Sequence, residues 1–186
     1  MQCRSSFNER GDLMMQEPFK QLYILHSDGI YKYIFFMVNN KELAEDLTQQ
    51  TFFKAFKQFQ TFRNEAAIIT WLKRIARNLV YDYYRKKRLI QFLPLTFKME
   101  YQDDTQTPVE LLETAEEMAV LYGALRKLKL NHRETIVLRK IEGLSVKETA
   151  QFLECTEAKV KNNTVRAIAA LKKVLQEGGH DDGAFR

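Results

Sequence analysis

The sequence predicts an all-α fold of two small helical domains joined by an acidic linker. Three observations carry this. Only 7 Gly and 3 Pro occur in 186 residues, so the chain has few obligatory breaks. Apolar residues recur at i, i+3, i+4 and i+7 over long stretches, while strand-like alternation is scarce. The composition then changes in mid-chain. From Glu100 to Glu117 there are seven acids and no Lys or Arg.

In chain order, residues 1–15 read as a disordered N-terminal extension, with Met14–Met15 as a second candidate start. Residues 16–92 form the first helical block. Within it, Lys41 to Phe59 reads as one helix whose core side is Ala44, Leu47, Thr51, Ala55 and Phe59. Glu42, Asp46, Gln49 and Phe53 lie on roughly the opposite side. A large aromatic on a polar, acidic face fits a protein interface; the other reading packs Phe53 under a neighbouring helix.

Ile68 to Arg88 reads as a second helix, with Leu72, Ile75, Ala76, Leu79 and Tyr83 as its core stripe. Arg74, Asn78, Tyr81, Arg85 and Arg88 share another face, and seven Lys or Arg fall between Lys73 and Arg88 against one acid, Asp82. Cations neutralise phosphates and aromatic rings stack on unpaired bases, so this face suits nucleic acid. An ordinary charged solvent face remains the alternative. Leu93–Pro94 closes the block, because proline restricts its predecessor and cannot continue a helix. Residues 93–112 are the linker.

Residues 113–178 form the second block. Gly143 ends a helix carrying Ile136, Val137 and Ile141. Ser145 and Glu148 make a capping box. The short helix after it turns Val146, Thr149, Ala150 and Leu153 inward. Glu154–Cys155 is a turn, and Thr156 caps a long helix in which Val160, Val165, Ile168, Ala169 and Leu171 continue the amphipathic pattern. From Lys159 to Lys173 this helix has five basic residues and no acid. Two helices around a short turn, the second basic, form a helix-turn-helix pattern; a plain helical hairpin is the alternative. Glu157, Lys159, Lys161, Asn162 and Asn163 lie where side chains reach base edges. Cys155 fills a packing position. Residues 179–186 read as a disordered tail.

The formal charge of +5 hints at a polyanionic partner. No apolar run approaches the roughly 20 residues of a membrane span, and residues 1–15 lack the apolar region of a secretory signal. Cys3 and Cys155, at unrelated positions, fit a reducing cytoplasm. His26, His132 and His180 have no partner at metal-ligand spacing, and neither a phosphate loop nor a nucleophile motif occurs. No catalytic residue, metal or cofactor is expected.

The two blocks together resemble the extracytoplasmic-function (ECF, group IV) sigma factors of the sigma-70 family. The match covers about Glu17 to Leu175. Ala44-Glu45-Asp46-Leu47-Thr48-Gln49-Gln50-Thr51-Phe52 resembles the family's core-binding segment A-E-D-x-x-Q-E-x-F. Thr70 to Leu79, with Asp82 and Arg85 to Arg88, resembles T-W-L-x-x-I-A-x-N-x-x-x-D-x-x-R-K. Leu144 to Ala150 resembles the entry to the helix-turn-helix.

The resemblance implies a sigma-2 domain in the first block and sigma-4 in the second. Glu42, Asp46, Gln49, Gln50 and Phe53 would bind the beta-prime clamp helices of RNA polymerase core. Phe62, Arg63, Asn64, Trp71, Arg74, Arg77, Asn78, Tyr81 and Arg85 would meet the −10 element as it melts, with a flipped base held by the loop at Phe62 to Ala67. Ser145, Glu157, Lys159, Lys161, Asn162, Asn163 and Arg166 would read the −35 element, and sigma-4 would also meet the beta flap. A membrane-bound anti-sigma factor is the further partner implied, with no membrane insertion by this chain. Three features depart from the family pattern. Leu128-Lys129 replaces Leu-Pro. Lys159 and Asn163 replace Thr and Arg in the recognition helix. Glu154 stands where Gly is common. These variations resemble a sigma-X-type subgroup linked to the cell envelope. A helix-turn-helix regulator acting without core polymerase is the competing function.

Overall fold

The computed structural model describes residues 9–59, 62, 68–91 and 114–178. Helix α1 is Glu9–Val38, α2 Lys41–Gln58 and α3 Ile68–Gln91. The second block holds α4 (Thr114–Lys127), α5 (Leu130–Ile136), α6 (Val146–Leu153) and α7 (Glu157–Gly178). No strand occurs among the described residues. Helix α1 begins inside the segment read as a disordered extension: residues 9–15 are helical. The linker (93–112) and the tail (179–186) lie outside the described residues.

The first block is a three-helix bundle. Asn39, at φ 49°, ends α1 in the left-handed conformation that Asn tolerates. Asn40 then caps α2, its side chain accepting from the Leu43 N–H at 2.7 Å. Ala44, Leu47, Thr51 and Ala55 are buried, as the periodicity of α2 requires. The two buried threonines meet their hydrogen-bond needs locally: Thr48 Oγ1 donates to the Ala44 carbonyl and Thr51 Oγ1 to that of Leu47. Against α2 pack Tyr33, Ile34 and Met37 of α1, with Leu72, Ile75, Ala76, Leu79 and Val80 of α3.

In the second block, α5 runs into a single π-helical turn, Val137–Ile141. A π turn inserts one residue into the helical repeat and rotates the residues beyond it about the axis. Ile136 joins a small core with Leu125, Leu128 and Ala167. Val137 and Leu138, next in the chain, join the core of the first block, as does Phe152 of α6. The two domains therefore share apolar packing.

The helix-turn-helix forms from local signals. The Ser145 hydroxyl accepts from the Glu148 N–H at 3.1 Å, and the Glu148 carboxylate accepts from the Ser145 N–H at 2.7 Å. The Ser145 hydroxyl, then its backbone N–H, hold the Glu148 carboxyl below its ordinary value. Gly143 stands at φ +72°, where a side chain is strained. Thr156 Oγ1 accepts from the Lys159 N–H at 3.2 Å and opens α7.

The α7 core stripe is shifted from the sequence expectation. Val160 and Ala167 are fully buried, and Ala170, Leu171 and Val174 pack against the cluster that holds Ala167, but Val165 is 69% exposed. At about 100° per residue, Val165 lies some 140° from Val160 and cannot share its face. Ala169 is likewise exposed.

Replacing Ser145 by Ala removes one half of the reciprocal cap. The expected cost is about 1 kcal/mol of stability, read as a lower urea midpoint at unchanged slope. An unchanged midpoint would show that the cap contributes nothing to α6.

Candidate nucleic-acid and polymerase interfaces

On α2, Glu42, Asp46, Gln49 and Gln50 are exposed, and Phe53 is 60% exposed. Phe53 does not pack under a neighbouring helix. Its ring instead carries the Lys57 ammonium 4.2 Å from the centroid. Gln50 Nε2 donates to Asp46 Oδ2 at 2.7 Å, which fixes the carboxylate on the same helix. The result is a polar face with one large apolar anchor. It borders a groove of about 490 Å³, whose walls include Glu42 and Asp46 of α2, Lys87 of α3, and Arg126 and Arg133 of the second block.

Phe62 stacks on Trp71, with centroids 4.6 Å apart and planes at 23°. Arg63 and Asn64 lie outside the described residues. On α3, Asn78 and Arg85 face solvent, Arg85 pairing with Asp82 at 3.0 Å. Arg88 is exposed as well, whereas Lys73, Arg77 and Tyr81 meet the second block and Arg74, itself exposed, reaches it at its edge.

Glu134 of α5, only 2% exposed, is the focus of that contact. Arg77 Nε donates to its Oε1 at 2.6 Å, Tyr33 Oη to Oε1 at 3.2 Å, and Tyr81 Oη to Oε2 at 2.6 Å. The Arg77 guanidinium also lies 4.6 Å from the Tyr81 ring centroid. A buried carboxylate is tolerable only when paired and hydrogen-bonded, and these three donors supply both. Burial, and next the Glu134 charge, push both phenols above their ordinary value, Tyr33 well above it. Burial works against the Arg77 charge, but Glu134, with Tyr81 and Tyr33 adding to it, more than offsets this and leaves the guanidinium above its ordinary value.

Two flanking pairs extend the contact. Lys73 Nζ meets Glu142, just past the π turn. Arg74 donates to the Gln151 carbonyl at 2.9 Å and lies 3.5 Å from the Glu154 carboxylate. Glu154 stands at φ 52°, in the left-handed region where glycine is at ease. Holding a non-glycine residue there costs roughly 1 kcal/mol; the carboxylate it brings reaches Arg74.

Arg133 fastens the other edge. It is 4% exposed, and its hydrogen bonds run to backbone carbonyls and a phenol. Its Nε donates to the Leu125 carbonyl at 2.9 Å and Nη2 to that of Arg126 at 2.6 Å, both at the end of α4. Nη1 donates to the Met37 carbonyl in the last turn of α1 and to Tyr84 Oη at 3.0 Å. Carbonyls at helix C-termini are natural partners for a cation.

On α7 the outward face is open. Glu157, Lys159, Lys161, Asn162 and Arg166 are exposed, Asn163 is half-buried at the edge of the core stripe, and Ser145 is exposed at the start of α6. Val165 belongs to this outward face.

Comparison with known proteins fits this geometry. Residues 22–90 match the family model Sigma-70 region 2, and residues 118–171 match Sigma-70, region 4. The ECF RNA polymerase sigma factor SigX of Bacillus subtilis (strain 168) is 35% identical over 166 residues, covering 87% of this chain and 86% of its own. SigM of the same organism is 29% identical over 163 residues, covering 87% and 98%. The chain belongs to the ECF sigma factors. Two solved relatives share its fold. The sigma factor RpoE in complex with the anti-sigma factor NepR, from Bartonella quintana, superposes with a TM-score of 0.66 at 25% identity, covering 86% of this chain and 98% of RpoE. CnrH in complex with the cytosolic domain of CnrY gives 0.61 at 26% identity, covering 87% and 90%.

This sigma factor is therefore an alternative sigma subunit with sigma-2 and sigma-4 domains, a class of initiation factor rather than of enzyme. No helix of the described residues is long and apolar enough to cross a membrane. Sequence reasoning missed the outward Val165 and the acidic partners Glu134, Glu142 and Glu154. The one available signal was Glu154, unusual at a turn position that favours glycine.

The raised phenols predict alkaline sensitivity. A group whose pKa is higher folded than unfolded contributes stability that is complete below its unfolded value, here 10.0, and is lost as pH rises through the folded value. Unfolding midpoints should therefore fall as pH climbs above 10. Tyr33→Phe should cost about 1.5–3 kcal/mol at neutral pH, for one hydrogen bond to a charged group, and should flatten the alkaline fall. An identical fall in the variant would remove Tyr33 as its source.

Proposed function

We propose that this sigma factor binds RNA polymerase core through the α2 face, reads the −10 element with α3 and reads the −35 element with α7. The division of labour falls at residues 16–92, 93–112 and 113–178. The observation that carries this reading is Phe53: a large ring 60% exposed among Asp46, Gln49 and Gln50, in a chain of this family. An exposed aromatic anchor ringed by hydrogen-bonding groups has the makeup of an interface centre, and the beta-prime clamp helices are the partner it would take.

For the −10 element, Trp71, Arg74, Arg77, Asn78, Tyr81 and Arg85 supply cations and stacking surface along α3, with the stacked Phe62 at its start. Arg63 and Asn64 complete the set by sequence. For the −35 element, Lys161 and Arg166 offer phosphate or guanine contacts and Asn162 an adenine contact, while Val165 adds an apolar surface suited to a thymine methyl. The sigma-4 domain would also meet the beta flap. An anti-sigma factor is the expected regulator, since NepR and CnrY accompany the solved relatives. Its membrane anchorage belongs to the proposal, as do a cytoplasmic location and a stress or cell-envelope regulon.

The deciding experiment is run-off transcription from a genomic promoter library with purified core polymerase. Transcripts that depend on the added protein are expected. Tight duplex binding without core, and no new transcripts with it, would overturn the proposal. Phe53→Ala and Asp46→Ala should weaken core binding at unchanged thermal stability, since both side chains are exposed; unchanged core affinity would remove this interface. Lys161→Ala should lower the salt slope of promoter binding by about one unit for one phosphate. An unaltered slope would mean that Lys161 touches none.

A further inference from the structure

We propose that the groove between the C-terminal half of α3 and the second block is a binding site for a free nucleoside triphosphate, with Lys87, Arg88 and Arg126 taking the phosphates and Tyr81 and Tyr84 the base. The site is additional to the promoter and polymerase surfaces above.

The groove encloses about 610 Å³, within the roughly 300–1,000 Å³ of small-molecule sites. Its charge is of one sign. Arg85, Lys87 and Arg88 line it from α3, Arg126 and Arg133 line it from the second block, and no acid is among the described residues of its wall. The adjoining groove beside α2 shares Lys87, Arg126 and Arg133 but adds Glu42 and Asp46. A cleft lined by one sign of charge concentrates its counter-ion, so an anion is drawn to the acid-free groove rather than to its neighbour.

The cations divide by what already engages them. Arg133, 4% exposed, donates to the carbonyls of Met37, Leu125, Arg126 and Leu128 and to Tyr84 Oη, and none of these partners is a carboxylate. The two helix ends among them supply only partial negative charge, so a positive potential remains beside the groove. Arg85 pairs with Asp82 at 3.0 Å. Lys87, half-buried, and Arg88 and Arg126, both exposed, are the cations placed to take phosphate.

The rest of the wall is apolar or aromatic: Leu128, Leu130, Tyr81 and Tyr84. Tyr81 Oη donates to Glu134 and Tyr84 Oη to the Met37 carbonyl. With both hydroxyls committed, the tyrosines offer ring surface, on which a base stacks. Inorganic phosphate would use only the cationic part of this lining. A ligand that uses all of it carries several phosphates and an aromatic ring, and that is a nucleotide. Because α3 belongs to one domain and Arg126, Leu128 and Leu130 to the other, such a ligand also ties the two together.

The test titrates ATP into the full chain by calorimetry, in magnesium-free buffer at physiological salt and without DNA or polymerase. Saturable binding at one site is expected. Lys87→Gln/Arg88→Gln/Arg126→Gln should weaken it about tenfold or more, through loss of charge-assisted hydrogen bonds. Lys20→Gln/Lys32→Gln/Lys54→Gln removes the same charge from exposed positions outside the groove and should leave affinity near the wild-type value. Tripolyphosphate should bind about tenfold more weakly than ATP, since it has no base to stack. ATP should raise the unfolding midpoint of the wild type and of the second variant, but not of the first, because a ligand held only by the folded state stabilises it. Tetrathymidylate, with phosphodiesters in place of a triphosphate, should displace ATP poorly. Absence of ATP binding, or equal losses in the two triple variants, would overturn the inference as mere attraction of a polyanion to a basic protein. Equal affinity for tripolyphosphate would overturn the nucleotide assignment, and ready displacement by tetrathymidylate would give the groove to a DNA strand instead.

Discussion

A carboxylate that is 2% exposed must find donors, and Glu134 finds Tyr33, Arg77 and Tyr81, all in the other domain. That requirement organises the molecule. Tyr33 can be fully buried in α1 only because its hydroxyl reaches Glu134. Arg77 can sit against the second block only because a negative charge awaits it. Replacing such a group by one that cannot accept would leave two hydroxyls and a guanidinium partly unmatched in a poorly solvated place. The domain contact is therefore specific in register. Apolar packing of Val137, Leu138 and Phe152 against the first core supplies area, and the Glu134 cluster decides which face of α3 that area covers.

The parts of this fold that could be read from the sequence are those fixed within a few residues. The α2 faces come from a 3.6-residue repeat, and burial of Ala44, Leu47, Thr51 and Ala55 with exposure of Asp46, Gln49 and Phe53 agrees with it residue by residue. The Ser145–Glu148 box and the Thr156 cap are contacts across three residues. The docking of the domains is different in kind. Tyr33 and Glu134 are 101 residues apart, Arg74 and Gln151 are 77 apart. In sequence, Glu134 looks like any surface acid, because nothing local distinguishes a solvated carboxylate from one awaiting an arginine. The π turn is equally silent: it changes which side chains face inward without a proline or glycine to announce it.

Val165 escaped the pattern for a narrower reason. Val160 and Val165 are both apolar, and a stripe drawn through both looks continuous on paper. Yet five residues carry the helix well past a full turn, and Ala167, a residue of little bulk, is the true continuation. Under the proposed −35 reading, an outward valine suits readout rather than packing, since a thymine methyl is sensed by apolar contact.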